Sequence, residues 1–299
     1  MASDSASDTD TDAFKLYLYK PSLPAAILFT VLFGLVTARH FQLVFKMKTW
    51  SFIPFCVGCV LETVGYGARA YSATQTPDWD LMPYILQSVF ILLGPAFYAA
   101  SIYMALGRLM RFLEAQHHSV IRVGLLTKIF LMGDIFSFFG QGGGGGLLAS
   151  ASDKGSQDLG NTIIIVGLAI QVIFFGGFMV VTAIFHMRIL RRPTSRSLST
   201  GAPWQPFMAV LYFTSALIMV RSVFRMIEYA QGHTGSLISK EIYVYTLDAL
   251  LMIIVAVIFT VRHPSAIFTY QTLSDTLGQD PGGFDNVPMV GQRPYVAKP

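Results

Sequence analysis

Long apolar segments recur along the chain and determine its predicted architecture. Each is about 20 residues long, enough for a helix to cross the hydrocarbon core of a membrane, where the backbone must satisfy its own hydrogen bonds. Short polar segments separate them. The seven predicted spans cover residues 23–45, 53–71, 84–106, 128–149, 163–184, 207–227 and 243–261. The predicted fold class is therefore all-α, a polytopic seven-helix transmembrane bundle.

The composition agrees with this pattern. The chain of 299 residues is 53% hydrophobic and 13% charged, whereas a soluble domain carries roughly a quarter charged residues. A water-facing globular surface is thereby excluded. We expect a polar extracellular tail over residues 1–22, a transmembrane domain over 23–263 and a cytoplasmic tail over 264–299. The first residues lack the basic start and short apolar stretch of a cleavable signal peptide, so none is predicted.

The distribution of basic residues predicts the orientation. Arginine and lysine concentrate near the ends of the first, third and fifth spans, in the loops that follow them, and at or beyond the end of the seventh. These residues are Arg39, Lys46, Lys48, Arg108, Arg111, Arg122, Lys128, Arg188, Arg191, Arg192, Arg196, Arg262, Arg293 and Lys298. Because cytoplasmic loops are enriched in basic residues, the N-terminus is predicted outside and the C-terminus in the cytoplasm. The net charge of +4 then reflects topology, and no nucleic acid partner is expected.

Charged side chains lie inside the predicted spans, where they are costly unless they are paired or face water. In the second span, Glu62, Tyr66 and Arg69 follow at i, i+4 and i+7, which is one face of a helix. The sixth and seventh spans repeat that spacing, as Arg221, Arg225 and Glu228 and as Glu241, Tyr245 and Asp248. Three matching polar stripes indicate a shared polar interior.

The stripes predict a polar pocket in the outer half of the bundle. Four acids, Glu62, Asp134, Glu228 and Asp248, nearly balance the three arginines. The candidate substrate-binding residues are Glu62, Tyr66, Arg69, Gln87, Asp134, Gln141, Arg221, Arg225, Glu228, Tyr245 and Asp248. The alternative is a purely structural network whose ion pairs hold the helices in register.

Two sequence features predict irregular helices. Positions 142–146 are five consecutive glycines, which weaken a helix by about 1 kcal/mol each relative to alanine. One interpretation is an unwound segment lining a cavity, and the other is close helix–helix approach through small residues. In the third span, Gly94-Pro95 predicts a kink, since proline removes a backbone donor.

Little in the sequence points to catalysis. Cys56 and Cys59 lie inside the second span, where packing is favoured over redox or metal chemistry. Histidines lie at the inner span ends or in loops, and a metal or haem site there is the weaker interpretation. The chain has no phosphate-binding P-loop, dinucleotide fingerprint or G-x-S-x-G motif. We expect no enzyme, no cofactor and no metal site.

The intramembrane motifs resemble those of the fungal lipid-translocating exporter family, the RTA-like proteins linked to aminocholesterol resistance and sphingoid-base export. The resemblance spans residues 19–265. The segments that carry it are Tyr19-Lys20-Pro21, His40 with Leu43, 62–69 (ETVGYGAR), Gln87, 94–103 (GPAFYAASIY), 134–141 (DIFSFFGQ) with the glycine run, 221–229 (RSVFRMIEY), Glu241 with Tyr245 and Asp248, and His263-Pro264. His40 is followed by Gln42, and not by a glutamine three residues on, so this element matches the family least well.

The resemblance implies a transporter or exporter of an amphipathic lipid-like molecule: a sphingoid base, a sterol amine or a related toxicant. We expect it in the plasma membrane, with an endomembrane or the vacuole as the alternative location. Such a protein contributes to lipid asymmetry or toxicant resistance, with membrane lipids around it and the amphiphile as ligand. The alternatives are a receptor-like sensor of lipid or membrane stress and a transporter of porphyrins or secondary metabolites. The basic inner loops could also dock a cytoplasmic protein partner.

Overall fold

A computed structural model describes residues 21–75, 79–151, 153–200, 203–231 and 240–264. Seven of its helices are long and apolar enough to cross a membrane, which confirms the predicted multi-pass helical bundle. The spans are Leu23–Met47, Ile53–Thr74, Leu81–Phe112, Val123–Ser150, Lys154–Arg191, Trp204–Ala230 and Glu241–Val261. Both predicted tails, apart from their innermost residues, lie outside the described residues, and the orientation stays a prediction.

Shorter elements join the spans. A 3₁₀ turn, Trp50–Phe52, precedes the second span, and another, Gln116–His118, follows the third. A five-residue helix, Ser195–Ser199, lies between the fifth and sixth spans. In the seventh span the helices Glu241–Val244 and Leu250–Val261 are joined by a π-helical segment, Tyr245–Ala249.

The observed helices extend beyond the apolar segments that predict them. The fifth span has 38 residues, about 57 Å at 1.5 Å per residue, well over the thickness of the hydrocarbon core. Asp153 begins this helix because its side chain accepts a hydrogen bond from the Ser156 amide. Bonds from Ser156 also hold the pKa of the Asp153 carboxyl below its ordinary value of 3.8. Hydropathy marks the lipid-facing length, whereas in the fifth span the Asp153 cap sets where the helix begins.

The spans form a closed ring in chain order, in which the seventh span packs against the first. The third and sixth spans also contact each other across the bundle. Large apolar side chains point outward, as Phe139 and Ile173 show with exposures of 69% and 70%. Such a surface suits lipid and not water. The polar stripes of the second, sixth and seventh spans therefore face the interior.

The glycine run is helical throughout, within Val123–Ser150. A Cβ atom on Gly144 would lie 2.7 Å from the Gly160 carbonyl oxygen, and one on Gly140 would lie 3.3 Å from the Gly167 Cα. The fourth and fifth spans therefore approach each other through their backbones. Of the two interpretations, close packing is the one that this structure has, and the unwound segment was wrong.

The two cysteines are free and buried, in agreement with the packing interpretation. The Tyr98 hydroxyl donates to Cys59 Sγ at 3.3 Å, and the Tyr98 ring stacks on Phe55 with 4.3 Å between ring centroids. Together these side chains join the second span to the third.

Candidate functional site

The three predicted stripes converge in one buried group of side chains, here called the charged cluster. The second span contributes two charged residues and a tyrosine, the sixth three charged residues and the seventh two acids and a tyrosine. Its members are Glu62, Tyr66, Arg69, Arg221, Arg225, Glu228, Glu241, Tyr245 and Asp248. Eight of the predicted candidate residues are thereby brought together, and Glu241 joins them.

Arg221 lies at the centre of the charged cluster and is fully buried. Its Nε donates to Asp248 Oδ1 at 2.7 Å, and its Nη2 donates to the Ile91 carbonyl oxygen at 2.9 Å. In an uninterrupted helix that carbonyl would accept from residue 95, but Pro95 has no N–H to donate. The proline of the third span thus frees an acceptor for an arginine of the sixth. The helix continues through Pro95.

Arg225 lies one turn further along the sixth span. Its Nη1 donates to Glu228 Oε2 at 2.8 Å on the same helical face. Its Nε lies 4.0 Å from Asp248 Oδ2, so the guanidinium stands between two acids. The Arg225 side chain is 13% exposed, against 3% for Glu228 and 1% for Asp248. It is therefore the most accessible charge of the sixth span in the charged cluster.

Arg69 closes the charged cluster at the end of the bundle where the first span begins. Its Nη2 lies 2.8 Å from Glu241 Oε1, and its Nε donates to the Tyr245 hydroxyl at 3.0 Å. Both Glu241 oxygens also accept from the Ser22 amide at 2.9 Å. The sequence pattern placed Glu241 on the polar stripe of the seventh span, but Glu241 was not included among the candidate substrate-binding residues. Its position four residues before Tyr245, on the same helical face, was the signal that could have identified it.

Glu62 has a different environment from the other acids. It is fully buried, and neither carboxylate oxygen has a hydrogen-bond partner within the described part of the chain. Gly94 packs directly on it, since a Cβ there would lie 2.6 Å from Glu62 Oε1. The neighbouring Tyr66 hydroxyl is also buried without a partner among those residues, and its ring stacks on Phe33. Gly94 thus makes room for a carboxyl group in the protein interior.

Two predicted residues of the fourth span lie outside the charged cluster. The Tyr103 hydroxyl donates to Asp134 Oδ2 at 2.9 Å. Gln141 donates to Ser137 and, at 3.2 Å, to Gln171 Oε1 on the fifth span. The expectation that Asp134 balances the arginines was therefore wrong, because its helix faces Tyr103 of the third span. Gln87 is buried on the third span.

A cavity of about 160 Å³ opens between the third, fourth, fifth and sixth spans, here called the glycine cleft. Its walls are mostly apolar, and its polar groups include an arginine, a glutamine and two tyrosines. The lining residues are Tyr84, Ile85, Ser88, Val89, Leu92, Gln141, Gly142, Gly145, Gly146, Leu148, Ile164, Arg225 and Tyr229.

The glycine run contributes to both packing and cavity. A Cβ on Gly142, Gly145 or Gly146 would meet no described atom within 4 Å. One face of the run therefore brings the fourth and fifth spans together at Gly144, and the other leaves space. Gly142 and Gly146 line the glycine cleft and are also exposed at the surface of the bundle.

Arg225 connects the glycine cleft with the charged cluster, because it lines the first and pairs within the second. Its guanidinium also lies over the Tyr229 ring, 5.4 Å from the centroid. Apolar walls beside a cation, an amide and phenol groups suit a molecule with an apolar body and a polar head. The arrangement can bind an amphiphile without any covalent chemistry.

The histidines at the predicted inner end make local contacts. His40 Nε2 lies 2.9 Å from the Ala256 carbonyl oxygen and 3.1 Å from Thr260 Oγ1. The ring centroids of His40 and His263 are 6.5 Å apart. No group of three or more potential metal ligands occurs among the residues that the structure describes. His233 lies outside them.

Comparison with known proteins places the chain in a family. The family described as "RTA1 like protein" matches residues 55–271. Protoporphyrin uptake protein 1 of Saccharomyces cerevisiae is 36% identical over 288 residues, covering 85% of this chain and 93% of that protein. Protein RTA1 of the same yeast is 34% identical over 278 residues, with 85% and 86% covered.

A third relative is the sphingoid long-chain base transporter RSB1 of Saccharomyces cerevisiae. It is 29% identical over 297 residues, covering 89% of this chain and 77% of the relative. No solved structure matches significantly. The family match includes the second span from residue 55 onward, the third to seventh spans and the whole charged cluster, which confirms the resemblance seen in the motifs. The chain belongs to the RTA1-like protein family.

Proposed function

We propose that this protein is a membrane transporter that moves an amphipathic lipid-like molecule, as an exporter that contributes to lipid asymmetry or toxicant resistance at the plasma membrane. The observation that carries the proposal is the glycine cleft, which has mostly apolar walls and is also lined by Arg225, Gln141 and Tyr229. An apolar tail would contact the walls while the polar head meets these three residues. The names of RSB1 and of the protoporphyrin uptake protein support transport of such molecules.

The volume of the glycine cleft limits how a ligand is held. Pockets that enclose a drug-sized molecule measure roughly 300–1,000 Å³, and the glycine cleft measures about 160 Å³. It therefore holds the head and the first part of the tail, while the remainder extends past Gly142 and Gly146 into lipid. Lateral entry also spares the tail a passage through water, which hydrophobic burial opposes.

The head group of the ligand can be argued from the charges. The hydroxyls of a sphingoid base could be bound by Gln141 and Tyr229. Glu228, which forms an ion pair with Arg225, would be the partner of the sphingoid-base ammonium group. Arg225 itself faces the glycine cleft, and this favours a second candidate, an anionic amphiphile whose carboxylate pairs with the guanidinium. The relative named for protoporphyrin uptake supports that candidate.

The proposal is tested by flux measurements in proteoliposomes that contain the purified full-length chain. Labelled sphingoid base, a toxic sterol amine and protoporphyrin are the probes. We expect Gly145→Leu to abolish flux because its side chain fills the glycine cleft. Gly143→Leu is the matched control, because Gly143 does not line the glycine cleft and a Cβ there meets no described atom within 4 Å.

Arg225→Gln separates the two ligand classes. Flux of an anionic amphiphile is expected to fall with the loss of the cation, whereas flux of a cationic one is expected to persist. If the folded wild-type chain transports none of the three probes, the proposal is overturned. Ligand-dependent recruitment of a cytoplasmic protein to the basic inner loops would then identify a sensor.

A further inference from the structure

The charges of the charged cluster pair off and leave one acid over. Each arginine has its own acidic partner, and these distances are 2.7 or 2.8 Å. The pairs are Arg69 with Glu241, Arg221 with Asp248 and Arg225 with Glu228. Glu62 is the fourth acid and belongs to none of these pairs. With these three pairs ionised, the cluster is electrically balanced only if Glu62 is neutral.

The burial of Glu62 leads to the same conclusion by an independent route. A carboxylate removed from water needs hydrogen-bond donors or an adjacent cation, and without them the neutral acid is strongly preferred. Among the described residues, no donor reaches either oxygen of Glu62. Gly94 and its backbone pack against the carboxyl group. In this conformation Glu62 therefore carries a proton.

Charged and titratable groups surround Glu62 on three other spans as well as its own. They are Cys59 and Tyr66 on the second span, Tyr98 on the third, Arg221 and Arg225 on the sixth and Asp248 on the seventh. Several of their polar atoms are buried without a hydrogen bond in the described chain, namely Arg221 Nη1, the Tyr66 hydroxyl, Arg225 Nε and Asp248 Oδ2. Unused donors and acceptors thus lie in one buried group.

These unused groups permit a second arrangement of the charged cluster. An ionised Glu62 would attract Arg221, whose Nη1 is an unused donor. Asp248, losing that partner, would draw in Arg225, whose Nε already lies 4.0 Å from Asp248 Oδ2. Arg225 would then release Glu228. Buried polar networks with two such pairings are bistable elements that a bound charge can bias.

We infer that Glu62 is the proton-binding site of this transporter and that its proton is exchanged for the cationic head of an amphiphile bound at Glu228. In the exchange, the O–H bond of the Glu62 carboxyl group breaks and its proton passes to water. One positive charge leaves as the proton and one enters as the ligand ammonium. The total charge of the cluster is unchanged. This inference rests on the proposed transport function.

The protonated state is tested by infrared spectroscopy of the reconstituted full-length protein. A neutral carboxylic acid has its own carbonyl stretching band, which shifts when water is replaced by heavy water. We expect the difference between wild type and Glu62→Gln at neutral pH to contain this band. Asp158→Asn, an exposed acid on the fifth span, is the control and should leave the band in place. A difference spectrum without it overturns the inference.

The exchange is tested in proteoliposomes that enclose a pH-sensitive dye. When sphingoid base is added, the wild-type protein is expected to take up the cationic base and to release protons at the same rate. The dye reports this proton release as a change in the internal pH of the vesicles. Glu62→Gln should reduce both to the level of protein-free vesicles, while Asp158→Asn retains them. Glutamine has the shape of the neutral acid, so a monodisperse, thermally unaltered Glu62→Gln protein is expected.

The outcomes separate this inference from the proposed function. Cation flux without proton release in the wild type overturns proton exchange and leaves the transporter proposal standing. Proton release that persists in Glu62→Gln assigns the proton to another group and overturns the role of Glu62. Absence of flux for any amphiphile overturns both.

Discussion

Two regions of this bundle hold their helices together by different means. The fourth and fifth spans touch backbone to backbone, with Gly144 against Gly160 and Gly140 against Gly167. The second, sixth and seventh spans meet through ion pairs, of which Arg221 with Asp248 is the most deeply buried. In lipid, burying apolar surface between helices provides little driving force for association. Close packing and polar contacts between helices provide it instead.

The difference between the regions lies in what remains unsatisfied. Around the glycine contacts, Gln141 pairs with Ser137 and Gln171, and little is left that could rearrange. In the charged cluster, Glu62, Tyr66 and Asp248 keep buried polar atoms without hydrogen bonds to the described residues. An interface whose described buried side-chain polar atoms are all hydrogen-bonded, as between the fourth and fifth spans, suits a rigid scaffold. An interface with unsatisfied buried polar atoms, as in the charged cluster, suits a part of the protein that moves.

The largest loss of stability is expected from Arg221→Met. Removing one member of a buried ion pair leaves an uncompensated charge and typically costs about 3–5 kcal/mol. Here Asp248 loses its partner, and the carbonyl that Pro95 left free loses its donor. The free energy of unfolding in mixed micelles with a denaturing detergent measures the effect.

The double variant Arg221→Met/Asp248→Leu is the control for that change. Replacing both members by apolar side chains is often neutral in buried pairs, so most of the lost stability should return. If Arg221→Met alone costs no more than a surface substitution, the charged cluster does not hold the helices together. Its role would then be confined to the ligand.

A smaller loss is expected from Gly144→Ala. The new Cβ would lie 2.7 Å from the Gly160 carbonyl oxygen and 2.9 Å from the Ile164 amide nitrogen. Backbone atoms cannot avoid the new Cβ by a change of rotamer, so the two spans must move apart. Overpacking of this kind lowers the free energy of unfolding by about 1–3 kcal/mol. Unfolding in the same mixed micelles measures it.

Gly143→Ala provides the matched control within the same run. A Cβ at Gly143 meets no described atom within 4 Å, and alanine favours the helix by about 1 kcal/mol. Stability should stay constant or rise. Equal losses in Gly143→Ala and Gly144→Ala would show that the glycines matter for chain flexibility and not for helix contact.

Helical periodicity explains why the charged cluster was predictable. Stripes such as Glu62, Tyr66 and Arg69 fix which face of one helix is polar, and a polar face in lipid must turn inward. The convergence of three stripes follows from that requirement alone. The choice of partners does not, because it depends on which spans are neighbours and at what height. Arg69 pairs with Glu241 for that tertiary reason.

The glycine run and Pro95 show two further limits. Five glycines disfavour a helix locally, but Val123–Ser150 remains helical, because lipid leaves the backbone no other hydrogen-bond partners and Gly144 packs against the fifth span. Pro95 did contain a usable signal, since it frees the carbonyl four residues earlier. The sequence thus predicts that the Ile91 carbonyl oxygen lacks its helical donor. It does not predict that Arg221 donates to this oxygen.

The smallest effect is expected from Tyr103→Phe, which tests whether Asp134 belongs to the scaffold. This change removes the hydroxyl that donates to Asp134 Oδ2 at 2.9 Å and leaves the ring packed against Phe130 and Phe178. The loss of one hydrogen bond should cost about 1 kcal/mol, and sphingoid-base flux should be unchanged. A loss as large as that of Arg221→Met, or a change in proton release, would mean that Asp134 communicates with the charged cluster. The division between a complete scaffold and an incomplete moving part would then fail, because the fourth span would share in both.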